Sequence, residues 1–177
     1  MSNATLSRTD SELMRIRAEL TKLAVNELDS PDGGRFDLIC DALVHVNEVT
    51  DDRFEGLEEL FLAKPWERFT DFDVALNAPA FIRLCQTCDC WPVPYNAMFH
   101  TLAAARTVFV SKDQESKYPQ LEDLIEQTKE AILRVGLDIA DSPGCGFEGI
   151  LEPWKKHSDQ VVSYVAIKAE SLWLVED

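Results

Sequence analysis

The stretch AMFHTLAAARTVFV, residues 97–110, carries only two ionisable side chains, His100 and Arg106. Apolar residues fall on every side of a helical wheel drawn through it, and a helix apolar all round has to be enclosed by others. A helix over 97–110 therefore calls for neighbours that each offer one apolar face. The flanking sequence supplies them.

Working outward, Thr9 and Glu12 have the spacing of a capping box. Leu13, Ile16, Leu20, Leu23 and Ala24 then share one side of a helix predicted over 10–28. The turn residues DSPDGG, 29–34, stop it. A second helix over 35–49 sets Phe36, Ile39, Cys40, Leu43 and Val46 on one face, with Asp37, Asp41, His45 and Glu48 nearly opposite. A third follows a cap at Thr50 to Asp52, with Phe54, Leu57, Leu60 and Phe61 inward and Asp52, Glu55 and Glu59 outward. Pro65 ends it, and Trp66 to Phe72 reads as a short helical turn. Pro79 suits the first turn of a helix that aligns Phe81, Leu84, Cys85 and Cys88, and CWPVPY, 90–95, breaks that helix.

Beyond the central stretch, Pro119 opens an amphipathic helix with Leu121, Leu124, Ile125, Thr128, Ile132 and Val135 in its stripe and Gly136 as its stop. Residues 137–152 read as a long loop. Pro153 starts a last helix, in which Trp154, Val161, Tyr164, Val165 and Leu172 line one side. No run alternates apolar and polar residues as a strand pair would. The fold class is all-α: a single domain over 1–177, built as a bundle of six or seven helices around the central apolar helix 97–110.

The 177 residues are 46% apolar and 28% charged, enough to bury a core without metal or disulfide support. The formal charge is −15, and residues 27–73 hold 14 Asp and Glu against 4 Lys and Arg. Such a surface repels nucleic acid and anionic membrane and attracts basic proteins. The longest run without a charged side chain, 90–105, is broken by Pro92 and Pro94 and too short to span a bilayer. No continuous apolar segment of a secretory signal occurs near the start. Five cysteines, three of them within residues 85–90, do not resemble a secreted disulfide framework, so the expectation is reduced thiols and a cytoplasmic location.

Four groups of residues are candidates for function. The first is the acidic face of helices two and three: Asp37, Asp41, Glu48, Asp52, Glu55 and Glu59, a surface for a basic partner. A metal reading of that row with His45 fails on geometry, because metal ligands in bundles point inward and this row opposes the apolar face. The second group is Cys85, Cys88 and Cys90, with Cys145 in the 137–152 loop or His100 to complete a tetrahedral Zn²⁺ site. Against it, Cys85 and Cys88 lie on the apolar face of their helix, where a thiol behaves as a small hydrophobe. The third is a pocket group of Arg106, His157, Tyr164 and Lys168; a buried Arg106 requires a carboxylate partner. Last, Trp91 and Tyr95 either anchor a partner or cover the core.

No phosphate loop, nucleophile elbow, zinc-protease motif or calcium loop is present, so an enzyme ranks below a binding protein. The leading expectation is a non-enzymatic acidic helical protein that binds another, basic protein as an inhibitor, immunity protein or adaptor, with no cofactor. One alternative is a metal- or small-ligand-binding protein using Cys85, Cys88 and Cys90, with Zn as its metal. The other is a nucleic-acid mimic that occupies a DNA- or RNA-binding protein.

Overall fold

Every regular element among the described residues is helical, as the periodicity requires. The computed structural model describes residues 8–31, 33–50, 54–88, 92–111, 122–123, 125–130, 133 and 149–173. In chain order the elements are α1 (Arg8–Glu27), α2 (Phe36–Glu48), α3 (Glu58–Leu62), a 3₁₀ turn (Pro65–Arg68), α4 (Phe72–Ala75), α5 (Ala78–Gln86), α6 (Pro92–Ser111), α7 (Leu151–Lys155) and α8 (Gln160–Trp173). Residues 122–123, 125–130 and 133 are also helical. Of the stripe expected after Pro119, Thr128 is buried and Ile125 half-buried; Leu121, Leu124, Ile132, Val135 and Gly136 lie outside the described residues.

α1 and α2 are joined by a turn whose glycines Gly33 and Gly34 adopt φ of 77° and 53°, conformations that disfavour any side chain. Glu27 closes the turn by accepting the Arg35 amide at 2.8 Å. α2 packs on α1 and α5 through Phe36, Cys40 and Leu43, and α6 touches α3, the 3₁₀ turn, α4, α5 and α8. Phe36, Phe61 and Trp66 all pack on Phe81 with centroids 5.6–6.4 Å apart, so the ring of Phe81 is the hub of an aromatic core.

Four expectations need correction. The third helix is not continuous from Thr50: Gly56 has φ of 87°, and the chain becomes helical only at Glu58, although Leu57, Leu60 and Phe61 are buried as expected. The central helix is longer than 97–110, whereas α5 ends at Gln86, ahead of CWPVPY, as expected. α6 begins at Pro92 and takes both prolines into its first turn, where their missing N–H groups have no helical acceptor to forgo. The last helix is divided, because Asp159 starts α8: its Oδ1 accepts the amides of Val161 and Val162 at 2.9 and 3.1 Å, an N-cap.

The fourth correction concerns α1, which buries Arg17, Thr21 and Ala24 and leaves Ile16 and Leu23 36% and 51% exposed. Arg17 sets this roll. Its guanidinium donates to the Glu55 carbonyl at 2.8 Å and to the Thr50 hydroxyl, and Gly56 lies against its stem. A buried charge deprived of partners costs several kcal/mol. Burying one more aliphatic side chain gains at most about 1.5–3 kcal/mol, so the roll that satisfies Arg17 prevails.

Candidate functional site

The acidic face starts with α2. Its apolar residues point at α1 and α5, which leaves Glu48 exposed and Asp37 and Asp41 half-exposed. Asp41 is committed to the fold: Arg83 of α5 donates to its Oδ1 at 3.0 Å through Nη2 and at 3.3 Å through Nε. Among the described residues no Lys or Arg pairs with Asp37, Glu48, Glu58 or Glu59; Glu48 has only His45, at 3.4 Å. Glu55 is exposed, and Asp52 lies outside the described residues.

Further along the chain, residues 66–70 form one wall of a groove of about 470 Å³. Trp66, Phe69 and Thr70 face Ala103, Ala104 and Val108 of α6 across it, and the alanines keep its floor low. Lys64, just ahead of this wall in the chain, holds a left-handed backbone (φ 49°) immediately before Pro65, a conformation costing a non-glycine residue about 1–3 kcal/mol. Its ammonium pairs with Glu67 at 3.6 Å.

His100 forms the end of the groove. Its ring stacks on Trp66 (centroids 5.1 Å, planes 9° apart) and meets Trp154 edge-on at 4.7 Å. Trp154 in turn stacks on Phe99 and donates its indole N–H to the Asn96 side-chain oxygen at 3.0 Å. Burial, and then the Lys64 ammonium, hold the His100 pKa below its ordinary value, against a smaller opposing pull from Glu67. A neutral imidazole in a wall shared with Trp66, Phe69, Ala103, Ala104 and Val108 can seat an apolar side chain.

The pocket group divides. Arg106 is buried and its Nε contacts Asp159 at 3.2 Å, the carboxylate its burial required. His157 joins the same point by accepting the Asp159 amide at Nδ1 (3.1 Å). Tyr164 and Lys168 make a separate contact on the exposed side of α8, the ammonium 5.6 Å from the ring centroid. Asp159 was the residue missed, although a Ser158-Asp159 pair ahead of a Val161-Val162 run is an N-cap signal.

Cys85 and Cys88 are buried, as is Cys40 across the α2–α5 contact; Cys90, Trp91 and Cys145 lie outside the described residues. Burial pushes the Cys40 thiol up, helped by Asp41 and Asp37. It does the same to Cys85, helped by Cys88 and Cys40. Such thiols stay protonated and unreactive. Among the described residues no three Cys, His, Asp or Glu side chains are placed to hold a metal ion. Tyr95 is buried against Phe99 rather than offered to a partner. Comparison with profiles of known protein families, with curated proteins and with solved structures finds no match for this chain.

Proposed function

We propose that this chain acts without catalysis, by binding a protein with a basic surface through the carboxylates of α2 and α3, with the Trp66–His100 groove taking an apolar anchor from that partner. The observation that carries this reading is the set Asp37, Glu48, Glu58 and Glu59, solvent-facing carboxylates with no Lys or Arg beside them among the described residues. Uncompensated charge of one sign raises the association rate with an oppositely charged surface more than it raises affinity. An inhibitor, an immunity protein or an adaptor all work this way. The architecture that would present the face is one domain, a bundle centred on α6, a reading supported by the number of elements α6 touches. Free thiols at Cys40, Cys85 and Cys88 favour the cytoplasm as its compartment. No helix among the described residues is long and apolar enough to cross a membrane.

The test is a variant carrying Asp37→Lys, Glu48→Lys, Glu55→Lys and Glu59→Lys, compared with wild type in affinity capture from the host at low and physiological salt. The expected result is an unchanged melting temperature with loss of a basic partner, the wild-type interaction weakening as salt is raised. A partner retained at full strength by the variant overturns the proposal. If the recovered partner binds DNA or RNA and the wild-type chain displaces that nucleic acid, the protein is a mimic of the alternative kind.

A further inference from the structure

The side of α1 that its sequence makes most apolar is not the side that the fold covers. Leu13, Ile16, Leu20 and Leu23 follow one another at intervals of three, four and three, the a and d positions of two consecutive heptads. The buried side of the same helix is Arg17, Thr21 and Ala24. With 3.6 residues per turn, Ile16 and Leu23 lie roughly 100–120° around the helix from Arg17. Leu13 and Leu20 are half-buried along the edge, Leu20 leaning on the core, while Ile16 and Leu23 face solvent. At the amino-terminal end of the row a hollow of about 360 Å³ opens between Arg8, Thr9, Glu12 and Leu13.

A seam of this form fits one helix laid alongside, and its flank says which kind. The residues immediately before Leu13 and Leu20 are Glu12 and Glu19, both exposed, in the g positions that select a partner by charge; Arg15 pairs with Glu12 at 2.6 Å, so the two glutamates and this one cation leave the flank net negative. In a parallel self-pairing the residue answering Glu12 would be Arg17, which is fully buried and held at Glu55 and Thr50 of its own fold. In an antiparallel self-pairing Glu12 would instead meet Glu19 of the other copy, so neither orientation sets an accessible cation opposite Glu12, and each chain adds a charge of −15. Basic flanks are the complement.

We infer that the Leu13–Ile16–Leu20–Leu23 seam of α1 is a docking site for an amphipathic helix with Lys or Arg flanking its apolar row. The site is separate from the acidic face of α2 and α3 and stands whether or not that face binds anything. Its helix enters as a partner segment and packs in the knobs-into-holes manner of a short coiled coil.

The probe is a labelled three-heptad peptide with Leu at every a and d position and Lys at every e and g, tested against the full chain by fluorescence anisotropy at physiological salt. A scrambled peptide of identical composition is the control for charge alone. The expected result is saturable binding of the patterned peptide, at least about tenfold tighter than the scramble. Ile16→Lys with Leu23→Lys should weaken it by a similar factor without moving the melting temperature. Equal binding of the scramble overturns the inference, as does wild-type binding by the double variant. If the α2–α3 charge-reversed variant loses the peptide and the Ile16/Leu23 variant keeps it, the peptide is read by the acidic face: this inference falls and the proposed function gains. Self-association of the wild-type chain in sedimentation, lost in the Ile16/Leu23 variant, would show that a second copy fills the seam and would also overturn it.

Discussion

His100 joins the groove to the interior, and its titration is the most direct handle on that connection. Its pKa is held below 6.5, so the folded chain prefers the neutral ring and the unfolded chain takes up the proton first. Stability from this residue is therefore complete above pH 6.5 and is lost as pH falls from there toward the folded pKa. Because the imidazole is stacked on Trp66, protonation should change the tryptophan emission. We expect a fluorescence titration with a midpoint below 6.5 in wild type, absent from His100→Gln. We also expect an unfolding free energy that declines with acid less steeply in the variant. A midpoint above 6.5 would mean that the ring is not desolvated as described. In the sequence, His100 showed only as an ionisable residue in an apolar helix; its stacking partner lies 34 positions earlier, and no periodicity links the two.

Among the elements, α6 is joined to the start of α8 by the ion pair of Arg106 with Asp159. Arg106 is 8% exposed and Asp159 20%, and the same carboxylate caps α8, so its removal strips a helix of its first hydrogen bonds and takes a carboxylate away from a buried cation. Asp159→Ala should cost about 3–5 kcal/mol in urea unfolding, the range for breaking a buried pair. Asp159→Asn, which still caps, should cost less, and adding Arg106→Met to Asp159→Asn should recover stability. A loss below about 1 kcal/mol for the alanine variant would mean that water replaces the pair. The existence of these elements could be read in the sequence, because it depends on local periodicity and turn residues. α2 and α5 came out with the expected interiors, whereas α6 keeps one side open at Ala103, Ala104, Thr107 and Val110. Their exact bounds could not, since Gly56 and the capping Asp159 act at single positions. Nor could the roll of α1, which is decided by hydrogen-bond partners some 35 residues away in sequence, at Thr50 and Glu55.

Taken as a whole, the molecule carries far more negative charge than its ion pairs neutralise, and the folded state concentrates that charge. Self-repulsion between like charges destabilises compact states and is relieved by salt, because the screening length falls from about 30 Å at 0.01 M to about 8 Å at 0.15 M. The melting temperature should therefore rise as sodium chloride is added over that interval, even though the exposed pairs Arg15–Glu12 and Arg68–Asp29 are weakened by it. A fall instead would show that these pairs outweigh the repulsion. The acidic stretch 27–73 could be counted in the sequence, whereas the groove could not. Its two walls come from residues 66–70 and 100–108, and only packing brings them opposite each other.

Arg17 has one more consequence. A guanidinium remains protonated across the whole range in which proteins stay folded, so what fixes the rotation of α1 does not titrate. The cation that anchors α1 is therefore present at every pH at which the chain is folded, and the outward setting of Ile16 and Leu23 comes with the fold itself.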